Sequence, residues 1–82
     1  MSDYEKQQLE NSFKTFTKKH FERPTKCKNI GQIQFYVKEL SLKIEEFKSR
    51  FNYVPRTAYT LLSEYNASQN RLIFSNFQQE FA

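Results

Sequence analysis

The chain has no tryptophan, one cysteine, one glycine and two prolines among 82 residues, and each scarcity excludes something. So few turn-formers cannot supply the reversals of a many-stranded sheet, which favours an all-α fold. One cysteine rules out an internal disulfide, and nothing at the N-terminus resembles a signal peptide. A small chain without staples is therefore expected to be soluble in a reducing, cytoplasmic setting. No apolar run approaches the ~20 residues that span a bilayer, so no membrane partner is expected. With one histidine and one cysteine, neither a zinc set nor a Cys-His or Ser-His-Asp constellation can be assembled. No catalytic residue, metal site, cofactor or small-molecule substrate is expected, and the chain does not read as an enzyme.

What is present is aromatic. Nine Phe and five Tyr make up 17% of the chain, so its few core side chains are large and bury considerable area. The length makes one domain, residues 1–82, near the size where a single core is only marginally self-sufficient.

The strongest pattern runs from Ile30 to Val54. Apolar residues fall at Ile30, Ile33, Val37, Leu40, Ile44, Phe47, Phe51 and Val54, alternating three and four apart, which is the seam of a heptad helix. Asn29 followed by Gln32 is a capping-box layout at its start. Ser2 followed by Glu5 is a second such layout, and Leu9, Phe13, Phe16 and His20 continue from it with helical spacing until Arg23-Pro24 ends the run. Pro55 suits the first position of a third helix. Within that helix, Asn66-Ala67-Ser68 allows a break, but Tyr65, Gln69, Ile73, Phe77 and Phe81 form a continuous four-spaced stripe that favours one long element. The expectation is three helices, at about 3–21, 30–51 and 55–80.

The flanks of the seam decide between a free coiled coil and a core helix. With Ile30 as a, position g holds Tyr36, Lys43 and Arg50, and e holds Gln34, Ser41 and Lys48, so a parallel pair would set lysine against lysine. Phe35 and Leu42 lie on the face where a coiled coil is polar. Both facts point to a helix covered on more than one side, with helices one and three packed on the seam and any homodimer contact using a second face. Phe35, Leu42, Phe77 and Phe81 are the expected protein-interface residues.

Formal net charge is +4, a modest bias toward an anionic partner. Its densest part is Lys14, Lys18, Lys19, Arg23, Lys26 and Lys28, opposed only by Glu22. Cations at a helix C-terminus complement its dipole, but this run exceeds what capping needs. It suits DNA phosphates, which require no fixed sequence motif. A second set, Lys38, Lys43, Lys48, Arg50 and Arg56, is diluted by Glu39, Glu45 and Glu46 and reads as ordinary surface pairing. Cys27 sits among lysines, an arrangement that can lower a thiol pKa, although a structural role is the stronger reading.

From Glu39 onward, Glu39-Leu40, Ile44, Val54, Tyr59, Leu61-Leu62, Tyr65 and Asn70-Arg71 resemble the double-stranded-DNA-binding late-transcription protein of T-even phages, with a GapR-like layout of helices. The third helix here carries only Arg56 and Arg71, fewer cations than GapR has. Asn52-Tyr53 and Tyr65 to Leu72 are similar to the Hha/YmoA family of H-NS partners, with Gln69-Asn70 standing where that family has Asp-His. Two functions are thus expected. One is a DNA-associated, nucleoid or transcription regulator that binds duplex phosphates without base readout. The other is a phage- or plasmid-encoded module that docks on a host DNA-binding protein.

Overall fold

A computed structural model of the chain describes the backbone of residues 1–81 and the side chains of residues 1–75. Three helices form: α1 (Asp3–His20), α2 (Ile30–Phe51) and α3 (Arg56–Phe81), with a 3₁₀ turn at Pro24–Lys26 between the first two and no strand among the described residues. The all-α, three-helix expectation holds, and α3 runs unbroken through Asn66-Ala67-Ser68.

Each boundary has a local cause. Ser2 Oγ accepts the Glu5 N–H at 3.2 Å, and Asn29 Oδ1 accepts the Gln32 N–H at 2.8 Å. The return half of each box is shifted. Glu5 takes the Ser2 hydroxyl, and Gln32 Oε1 takes the Lys28 N–H at 3.2 Å, in place of the cap residue's own N–H. Arg23 is extended (φ −61°, ψ 137°), as the residue before a proline must be. Asn52 closes α2 in the left-handed region (φ 52°, ψ 34°), and its N–H bonds the Lys48 carbonyl. Pro55 precedes α3 and is buried, while its carbonyl accepts the Ala58 N–H.

The core is Phe13, Cys27, Ile33, Leu40, Phe47, Ala58 and Tyr65. On α2 the d residues Ile33, Leu40 and Phe47 are buried, whereas the a residues Ile30, Val37, Ile44 and Phe51 stay half-exposed. The seam is therefore used lopsidedly, as a core stripe and not as a symmetric coiled-coil interface. Phe13 meets Phe47 edge-on at 5.6 Å, and Tyr36 stacks on Tyr65 at 5.7 Å. The Tyr65 hydroxyl donates to the Glu22 carbonyl and ties α3 to the connector.

On α3 the buried line is Ala58, Tyr65 and Ser68, with Leu61, Leu62 and Leu72 packed against the core. The four-spaced stripe leaves that line: Gln69 is half-buried and Ile73 is 47% exposed. Steps of four rotate about 40° each around a helix, so such a stripe drifts off a straight contact, while alternating threes and fours stay on it.

α1 runs parallel to α3 and antiparallel to α2, because Glu10 meets Arg56 and Glu22 meets Tyr65. Its first two turns overhang the α2–α3 link, and α3 continues past Leu72 at the opposite end. The molecule measures 55 × 19 × 18 Å, with a radius of gyration of 15.1 Å. A compact domain of this length would have about 12 Å.

Candidate nucleic-acid interface

All six cations of the densest run are exposed. Among the described residues, none of their charged nitrogens lies within 4.0 Å of a carboxylate, although Glu22 accepts the Arg23 backbone N–H at 2.9 Å. Lys14 and Lys18, one turn apart, face the side of α1 that meets α3, whereas Lys19 is rotated about 100° onward. Lys18 and Arg23 border a cavity of about 330 Å³ whose walls include Phe21, Pro24 and Leu61. Glu22 and Glu64 share that rim, so its charge is mixed. Lys26 lies in the 3₁₀ turn and Lys28 just before the Asn29 cap. The structure thus gathers Lys14, Lys18 and Arg23 on one flank and places Lys19 around the helix from them.

The same flank carries two cations from outside the run. Lys6, Lys14 and Arg56 line an open groove of about 660 Å³ between α1 and the start of α3, which they share with the acids Asp3 and Glu10 and with Tyr53, Thr57 and Thr60. Lys6 also lies 5.9 Å from the Tyr53 ring centre. A four-residue step joins Lys6 to Glu10 and Glu10 to Lys14 in the sequence, but only tertiary packing brings Arg56 to them.

Glu10 lies at the centre of that groove and is held there by hydrogen bonds. Its Oε1 accepts the Arg56 N–H at 2.7 Å and the Tyr53 hydroxyl at 2.9 Å, and its Oε2 accepts the Thr57 hydroxyl at 3.3 Å. Burial works to raise the carboxyl pKa, but the bonds from the Arg56 N–H, the Tyr53 hydroxyl and both donors of Thr57 outweigh it. The pKa therefore falls below the ordinary carboxylate value. The Tyr53 hydroxyl responds in the opposite sense, its pKa raised by that hydrogen bond first and then by burial. A side chain of α1 thus caps α3, a function that sequence spacing did not reveal.

The second basic set is partly spent on its own helix. Lys43 pairs with Glu46 at 3.2 Å and lies 4.5 Å from the Phe16 ring centre, and Arg50 pairs with Glu46 at 3.4 Å. The Lys43 hydrogen bond and charge, then those of Arg50, pull the Glu46 pKa down. This is the surface pairing that the spacing suggested.

Cys27 departs from the electrostatic expectation. Its lysine neighbours in sequence point to water while the thiol is buried and donates to the Arg23 carbonyl at 3.5 Å. Burial first, then the Glu22 charge, pushes its pKa up, so the thiol stays protonated and structural. His20 is exposed and leans on Phe16 at 4.7 Å. Among the described residues no three His, Cys, Asp or Glu side chains gather as metal ligands, and no helix is long and apolar enough to cross a membrane.

Phe35 and Leu42 are each 58% exposed, so the second apolar face of α2 is left uncovered by α1 and α3. The side chains of Phe77 and Phe81 lie outside the described residues. No family model, curated protein or solved structure matches the chain.

Proposed function

We propose that the protein is a small non-enzymatic, DNA-associated regulator that binds the duplex phosphate backbone without base-specific readout. The observation that carries this reading is the exposure of Lys14, Lys18, Lys19, Arg23, Lys26 and Lys28 with none of their charged nitrogens in an ion pair among the described residues. Unpaired surface cations neutralise phosphates without first giving up an ion pair, releasing the counterions condensed on the DNA. The resemblance of residues from Glu39 onward to a phage double-stranded-DNA-binding protein supports the same class. No base-reading element is needed, since lysines on a helix end and a connector position a protein on DNA without specifying sequence.

Titration of labelled random duplex at several salt concentrations tests the proposal. Six phosphate contacts would give a log–log slope of about −5 and weaken binding about 10³-fold between 50 and 200 mM salt. Changing Lys14, Lys18 and Arg23 together to Gln should flatten the slope by about 2 to 3. An absence of duplex binding at the lowest salt would defeat the proposal.

A further inference from the structure

The groove between α1 and the start of α3 holds an acid that no cation pairs with. Lys6 and Lys14 stand one turn on either side of Glu10, about 6 Å along α1 in each direction, and Arg56 lines the same groove. Among the described residues, no charged nitrogen lies within 4.0 Å of the Glu10 carboxylate. Glu46 is the opposite case, with Lys43 at 3.2 Å and Arg50 at 3.4 Å. What holds Glu10 is a set of dipoles: the Arg56 N–H and Tyr53 hydroxyl on Oε1, and the Thr57 hydroxyl on Oε2. Dipoles stabilise an ionised carboxylate without cancelling its charge.

Glu10 also cannot turn aside. An ordinary surface glutamate changes rotamer when an anion approaches, and its charge moves away with it. Glu10 would first have to break its bonds to Tyr53, Arg56 and Thr57. Asp3 is an exposed acid on the same groove, but the side-chain hydrogen bonds that cross the groove end on Glu10.

Given the phosphate reading above, on which this rests, we infer that Glu10 is a brake on duplex binding: a fixed negative charge, set inside the cationic flank, that keeps the DNA weakly and reversibly held. A strand that contacts Lys6 and Lys14 together runs past Glu10, which stands between them. The carboxylate repels the phosphates there, and salt shortens the reach of that repulsion. Because the same carboxylate caps α3, stability and affinity oppose each other at this residue.

Titration of labelled random duplex with the full chain and its variants reads the effect. Glu10→Gln should bind about three- to tenfold tighter than the parent at about 50 mM salt, with the gain shrinking toward about 200 mM. It should do so while melting at a lower temperature, a combination that a purely structural role does not give. Asp3→Asn removes the same charge from the same groove and should tighten binding by less than about twofold, because a mobile acid already yields to the strand. Circular dichroism at the binding temperature checks that each variant keeps its helices. If Glu10→Gln loses them, Tyr53→Phe combined with Thr57→Val loosens the carboxylate at constant net charge and should tighten binding about twofold. A folded Glu10→Gln no tighter than a parent that binds overturns the inference alone. Equal gains from Glu10→Gln and Asp3→Asn also overturn it, by making net charge the cause, and so does a double variant with no gain. If neither parent nor variants bind duplex at the lowest salt, the phosphate reading falls and the brake falls with it.

Discussion

Glu10 joins two parts of the chain that are 46 residues apart, with a carboxylate accepting the Arg56 N–H, the Tyr53 hydroxyl and the Thr57 hydroxyl. Glu10→Gln keeps the shape but removes the charge that strengthens these bonds and favours the α3 dipole. It should lower stability by about 1 kcal/mol, seen as a fall in Tm of about 4–8 °C. The pH dependence has a definite sign. Because the folded-state pKa is lowered, the contribution is fully present above the unfolded value of about 4.3 and is lost as pH falls through the folded pKa. Melting the parent and the variant from neutral to pH 3 should show their difference shrink in acid. A difference independent of pH would mean that the carboxylate charge is not what stabilises the cap. Glu10 was illegible in the sequence for a simple reason: capping residues are sought one to three positions from a helix start, and this one comes from another helix.

Helix limits, by contrast, are written locally. Ser2, Asn29, Arg23-Pro24 and Asn52 each act on neighbours within four residues, and the three helices follow from them within about one residue. Asn52 offers a sharp check at this scale. It is the one non-glycine residue with positive φ among the described residues. Asn52→Gly should be neutral or mildly stabilising, and Asn52→Val should destabilise by about 1–2 kcal/mol, because a β-branched side chain clashes in the left-handed region. Urea denaturation midpoints would decide, and equal midpoints for the two variants would argue against the left-handed cap. Which side of α2 is covered was also partly legible. Phe35 and Leu42 stood outside the seam in the sequence, but whether a neighbour buries them depends on where α1 and α3 sit.

The whole molecule is a rod, 55 Å long, because α1 and α3 overhang α2 at opposite ends. Its electrostatics follow from that offset. Sliding α1 past the α2–α3 link brings Lys6 and Lys14 beside Arg56, which extends the cationic flank by groups that no single sequence window contains. If duplex phosphates follow this flank, Lys6→Gln and Arg56→Gln should each reduce the salt slope by about 0.9, while Lys43→Gln leaves it unchanged. Lys43 is the suitable control, since its charge is already paired with Glu46. Equal effects at Lys6, Arg56 and Lys43 would mean that overall charge, and not this flank, governs binding.

The sequence by itself determined the helices, the N-caps of α1 and α2 and the identity of most of the core, because these rest on periodicity and on bonds spanning a few residues. Leu40 and Phe47 were recognisable as core from their spacing alone. Tertiary structure decided which half of the heptad seam is buried, that Cys27 turns inward away from its lysines, that Glu10 caps α3, and that Arg56 joins the cations of α1. These depend on the offset and rotation between helices. Those are set by how Phe13, Phe47, Tyr36 and Tyr65 fit together, a matching of shapes that periodicity does not encode.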